Sequence, residues 1–146
     1  MSSFHRLTTA LAALSTLGFV LGSAQAATPS VVKVQLDNTG KVETLKLDRT
    51  SVPAGIVRFE VTNASMDDTH EMIVVKTPLT PDKFPTNKDG SKVDEKSFKG
   101  AKEVSDIKSG GTGTLDMNLT AGHYVLFCNI KNHFKNGMYA ELTVTP

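Results

Sequence analysis

The stretch Val31-Val32-Lys33-Val34-Gln35-Leu36 alternates apolar and polar side chains, the period of two that a half-buried β-strand imposes. The alternation returns over 42–47, after the turn residues Asn38-Thr39-Gly40. Pro53-Ala54-Gly55 punctuates the chain, and Ile56-Val57-Arg58-Phe59-Glu60-Val61-Thr62-Asn63 follows as a β-branched and aromatic run. Residues 71–76 repeat the pattern after a polar loop, and 113–119, 123–129 and 138–144 complete the series, with Thr120-Ala121-Gly122 turning between the first two of these. Seven or so short strands separated by turn signals predict an all-β sandwich or small barrel. One segment breaks the rhythm. Residues 77–102 carry Pro78, Pro81, Pro85 and six lysines without a period of two, which predicts a long solvated surface excursion with a short helix around 94–99.

The first residues read as an address. Arg6 supplies a positive charge, and 7–22 is mostly apolar but too short for a confident membrane span. Ser23-Ala24-Gln25-Ala26-Ala27 then offers the small residues that a signal peptidase reads. The expectation is a cleaved signal peptide over 1–26 and one domain over 27–146, exported to the periplasm as a monomer without membrane insertion. A domain of this length buries roughly two-thirds of its unfolded surface. The chain has 16 basic and 15 acidic residues, and Arg6 is the only charged residue of the leader, so the mature charge is balanced. Nucleic acid asks for a basic face and is an unsuitable partner.

Cysteine usage sharpens the picture. Exported proteins usually pair their cysteines, yet Cys128 is the only one here. It stands in Tyr124-Val125-Leu126-Phe127-Cys128-Asn129-Ile130-Lys131-Asn132-His133-Phe134-Lys135-Asn136-Gly137-Met138, so a thiolate, an imidazole and a thioether follow a C-x4-H-x4-M spacing. Cys128 ends one predicted strand, His133 lies in the connection, and Met138 opens the next. His70, at the start of the strand after the loop 63–69, is the candidate for a fourth ligand. Two imidazoles and a thiolate in a plane with a long, weak thioether bond suit a copper ion that exchanges electrons.

Ala121-Gly122-His123-Tyr124-Val125-Leu126-Phe127-Cys128, with His133 and Gly137-Met138, resembles the blue-copper proteins, the cupredoxins. The upstream Phe59-x-Val61-x-Asn63-Ala64-Ser65…His70-Glu71-Met72 is similar to that family's first-histidine loop. The four-residue gap from Cys128 to His133 is closer to that of rusticyanin-like, sulfocyanin-like and phytocyanin-like members than to plastocyanin's shorter loop. The resemblance implies a Greek-key β-sandwich of about seven to eight strands and one type 1 copper held by His70, Cys128, His133 and Met138. It implies an electron carrier rather than an enzyme. In this chain Glu71 replaces the Asn that commonly follows the first histidine, and Lys131-Asn132 replaces a common Pro-Gly. The resemblance implies that the backbone N–H of Glu71 points at the cysteine sulfur, with its carboxylate free to tune the site or bond a neighbouring loop.

Other readings compete. The same ligands suit a periplasmic protein for copper tolerance or delivery. A thiol enzyme with Cys128 as nucleophile leaves Met138 unexplained and ranks last. Met72 fits a core position better than a ligand role, His123 a surface position, and Phe127 the core. By resemblance His133 is the electron port, and Ile130 and Phe134 form an apolar rim on which a redox partner protein docks.

Overall fold

The computed structural model describes residues 28–38 and 42–146. The expected leader and the centre of the first predicted turn lie outside the described residues. Among the described residues, nine strands run in chain order as β1 (Ser30–Asp37), β2 (Thr44–Leu47), β3 (Ser51–Pro53), β4 (Gly55–Asn63), β5 (His70–Lys76), β6 (Lys102–Ile107), β7 (Thr112–Leu119), β8 (Gly122–Phe127) and β9 (Tyr139–Thr145). They form two sheets, ordered β2-β1-β4-β7 and β3-β9-β8-β5-β6. Each sheet is mixed, because β1 pairs parallel to β4 and β3 parallel to β9 while the other pairings are antiparallel. This is the expected β-sandwich, not a closed barrel. Among the described residues no helix is long and apolar enough to cross a membrane.

The alternating stretches become strands with one wet face. Val32, Val34 and Leu36 of β1 and Val57, Phe59 and Val61 of β4 are buried, while Lys33, Gln35 and Glu60 face solvent. Met72 and Val74 of β5 and Leu126 of β8 close the core from the opposite sheet. β5 and β8 read as nearly continuous apolar runs for a different reason: both of their faces are covered. Ile73, Val75, Val125 and Phe127 point to the outer side, where Phe84, Val93 and Phe134 cover them in a second cluster.

That second cluster corrects the solvated reading of 77–102. The excursion contains two single-turn 3-10 helices, Pro81–Lys83 and Glu95–Ser97, the latter inside the window where a short helix was expected. Its Phe84 and Val93 are buried, and Phe84 stacks on Phe134 with ring centroids 5.5 Å apart. The lysines are exposed as expected, but the segment between them is a lid on the second sheet.

Two strands carry no period-two signal. β3 is three residues long and ends in proline. β6 (Lys-Glu-Val-Ser-Asp-Ile) is a charged edge strand, largely exposed, of the kind that blunts edge-to-edge pairing.

Candidate metal centre

Three segments meet at one end of the sandwich. The first is the start of β5. His70 is wholly buried, and the register of β5 on β6 shifts between His70 and Met72. Asp106 sits in that irregularity with a left-handed backbone, φ 53°. Bulges of this kind re-aim a side chain beside a functional site. Ahead of His70, the loop is shaped by buried Asn63, whose Nδ2 donates to the backbone oxygens of Asp68 and Ile107 at 2.8 Å each and whose Oδ1 accepts from the Ser65 N–H at 3.0 Å.

The second segment is the connection from β8 to β9. The Cys128 N–H donates to the Met138 carbonyl oxygen at 3.1 Å, which brings the two sulfur residues together at the base of the loop. Both side chains are fully buried. Within the loop, the His133 N–H donates to the Ile130 oxygen at 2.9 Å, the Met138 N–H to the His133 oxygen at 3.0 Å and the Gly137 N–H to the Phe134 oxygen at 3.0 Å. Asn132 has φ 71°, the left-handed region that Gly and Asn tolerate best. It thus supplies the conformation expected of the glycine it replaces. Asn132→Val should cost about 1–3 kcal/mol because a β-branched side chain is strained there, whereas Asn132→Gly should be close to neutral; chemical denaturation of the two variants checks this.

The third segment is the excursion, and its role was not foreseen. Asn129, 2% exposed, accepts from the Val93 N–H at 2.7 Å through Oδ1 and donates to the Val93 oxygen at 3.0 Å and to Glu95 Oε1 at 2.5 Å through Nδ2. The Asn132 N–H donates to the Ser91 oxygen at 2.8 Å. The excursion therefore ties down the ligand loop at two places. The sequence signal was present: Asn129 is a polar residue between apolar Phe127-Cys128 and Ile130.

At the meeting point, His70 Nδ1 and His133 Nδ1 are 3.2 Å apart, and Cys128 Sγ is 3.4 Å from His133 Nδ1. One donor atom from each of the three residues lies within 4.8 Å of the others. The two rings meet edge-on, with centroids 5.0 Å apart. Two imidazole nitrogens facing each other at this distance share a single proton at best, whereas a cation between them takes a lone pair from each. The donor set, two imidazoles and a thiol in a buried setting, fits copper. Met138 is fully buried in the core cluster that also holds Cys128, and Met72 is a core residue as expected.

Burial sets the charge states. It pushes the Cys128 thiol up to about 11, against opposing hydrogen bonds from the backbone N–H groups of Glu71 and Ile130. The Glu71 carboxylate accepts from the Asn129 N–H at 3.1 Å, bonding the neighbouring loop. Burial, then the nearby His133, lowers His70 and favours its neutral, ligand-competent form. His123 stays outside this group: its Nε2 lies 2.7 Å from Glu141 and its Nδ1 2.8 Å from the Thr77 oxygen.

Phe134 departs from expectation. It is 8% exposed and packs among Phe84, Phe127 and Tyr139, so its ring belongs to the second cluster rather than to a surface rim.

The sulfocyanin (SoxE) domain model matches residues 19–146. Among solved structures, the chain is similar to reduced auracyanin from the photosynthetic bacterium Roseiflexus castenholzii, at 18% identity over 83% of this chain and 100% of that one, TM-score 0.56. It is also similar to rusticyanin from Thiobacillus ferrooxidans, at 16% identity over 81% and 79%, TM-score 0.53. A third likeness is auracyanin A, a "blue" copper protein from Chloroflexus aurantiacus, at 19% identity over 80% and 100%, TM-score 0.52. A search of curated proteins gives no match. The structural likenesses establish the fold, and the domain match establishes the family. The chain belongs to the sulfocyanin domain family of cupredoxins, and its grouped His70, Cys128 and His133 suit one type 1 copper site.

Proposed function

We propose that this protein is an exported carrier of single electrons, with copper held by His70, Cys128, His133 and Met138. The observation that carries the reading is the convergence of two imidazole nitrogens and a thiol at a ligand loop that a third segment of chain ties down by hydrogen bonds. Copper supplies the Cu(I)/Cu(II) couple. The loop bonds from His133 to Ile130, from Met138 to His133 and from Cys128 to Met138 fix the backbone that carries the donors. Little rearrangement means a low barrier to electron exchange.

His70, Cys128 and Met138 are fully buried, while His133 is partly exposed. His133 is accordingly the port for electrons, with half-buried Ile130 on its rim and a redox partner protein docking there; Phe134 supports the loop from beneath. Burial of the donors favours retention of copper over delivery. The leader-like residues 1–26 support export to the periplasm.

Two measurements test this reading. Reduction and reoxidation in the presence of a Cu(I) chelator should leave copper on the protein; loss of copper on each reduction would favour delivery. Met138→Gln should keep copper and lower the midpoint potential, since a harder axial donor favours Cu(II). An unchanged or higher potential would remove Met138 from the axial position.

A further inference from the structure

Glu43 is a charged residue where the strand pattern calls for an apolar one. It precedes β2 in phase with Leu45 and Leu47, whereas the neighbouring Val42 is 62% exposed. Its side chain is 12% exposed, and its Oε2 is buried without a hydrogen-bond partner among the described residues. That oxygen lies 3.9 Å from His133 Nδ1. The backbone oxygen of Glu43 lies 3.7 Å from where a Cβ on Gly137 would stand, so its main chain runs against the approach to Met138.

A buried carboxylate oxygen without a donor is costly and calls for an explanation. The other acids near the centre have partners. Glu71 accepts from the Asn129 N–H, and Asp68 accepts from Asn38. Glu43 faces the donor cluster without belonging to the trio whose atoms converge.

We propose that Glu43 sets the redox balance of the copper centre, the charge of its buried carboxylate beside His133 favouring the oxidised ion over the reduced one. The inference rests on the copper reading above. With neutral imidazoles, a neutral thioether and one thiolate, the centre carries one positive charge as Cu(II) and none as Cu(I). Reduction adds one electron and neither makes nor breaks a bond to Glu43. A fixed negative charge nearby stabilises the first state more than the second, and does so strongly where water is excluded. Glu43 is thus a positioning residue for charge, not a ligand.

The test is a spectroscopic redox titration of the copper-loaded full chain at about pH 8, chosen on the alkaline side because burial raises Glu43 from its ordinary value. Glu43→Gln should raise the Cu(I):Cu(II) ratio at a fixed ambient potential about tenfold, an upward midpoint shift of about 59 mV for a one-electron couple. Glu43→Leu, which suits the apolar phase of the strand, is a second uncharged variant and should shift the same way. Glu43→Asp keeps the charge and should shift less. The copper hyperfine splitting should stay that of the parent in all three, because the donors are unchanged. Glu60→Gln, at an exposed carboxylate on β4, should leave the ratio alone. An unchanged or lower ratio in both uncharged variants, or an equal rise in Glu43→Asp, would overturn the proposal while the parent's charge-transfer band still supported copper. A parent without that band would overturn both.

Discussion

Cys128→Ser protein should take up Cu(II) without developing an intense visible band. The thiolate is the only donor in the cluster that supplies sulfur-to-copper charge transfer, and a serine oxygen at the same position supplies none. Loss of outer-shell partners of a metal site typically costs about 10–100-fold in affinity, so loss of this ligand should cost more than that. The same titration carries a pH dependence. Burial holds the thiol near 11, above its ordinary value of 9.0. Copper must therefore displace a proton, and parental affinity should fall about tenfold for each unit of pH below 11 on this group's account, a dependence missing from Cys128→Ser. For the metal-free protein the sign is opposite to that of a buried carboxylate in an ion pair. The unfolded chain ionises its thiol first, so stability is complete below about pH 9 and is lost as pH rises toward 11. Equal affinity and equal pH slope in parent and variant would show that Cys128 is not a ligand.

Phe127→Ala should destabilise the fold by about 3–5 kcal/mol, the range for truncating a buried aromatic ring. Phe127 is wholly buried, and its ring lies 5.8 Å from Phe84 and 5.5 Å from Phe134 between centroids. Truncation removes the anchor that joins the excursion, the ligand loop and β8. The expected fall in melting temperature is roughly 10–20 °C, read by thermal denaturation of the metal-free protein. Val42→Ala, at an exposed position, should stay within about 0.5 kcal/mol of the parent. A loss below about 1 kcal/mol for Phe127→Ala would mean that the excursion does not pack as a lid. Because Phe127 directly precedes Cys128, the copper-loaded variant should also bind its metal less tightly.

The strands that face water on one side were legible because burial on one face writes itself as a period of two. β1 and β4 are examples. The ligand cluster was legible because soft and imidazole donors at fixed spacing have few structural uses, and the backbone brings three of the four together as the spacing suggested. The excursion was not legible. Its Phe84 and Val93 are separated by polar residues and irregular backbone, so no period announces that they share a face. Its lysines point outward, and composition reports the outward face alone. Asn129 and Glu43 were missed for a related reason. A polar residue held in an apolar setting looks like an interruption of a pattern until its partner, or lack of one, is seen in three dimensions. β6 escaped notice because an edge strand protected by charge suppresses the signal by which strands are found.

The central claim is that His70, Cys128 and His133 hold one copper as a type 1 centre, and a visible and EPR spectrum of residues 27–146 titrated with Cu(II) tests it most directly. The account predicts an intense blue or green band that saturates at one copper per chain, with narrow copper hyperfine splitting. A pale complex with wide splitting would contradict it, leaving Cys128 a buried core thiol and removing the basis for electron transfer at this site.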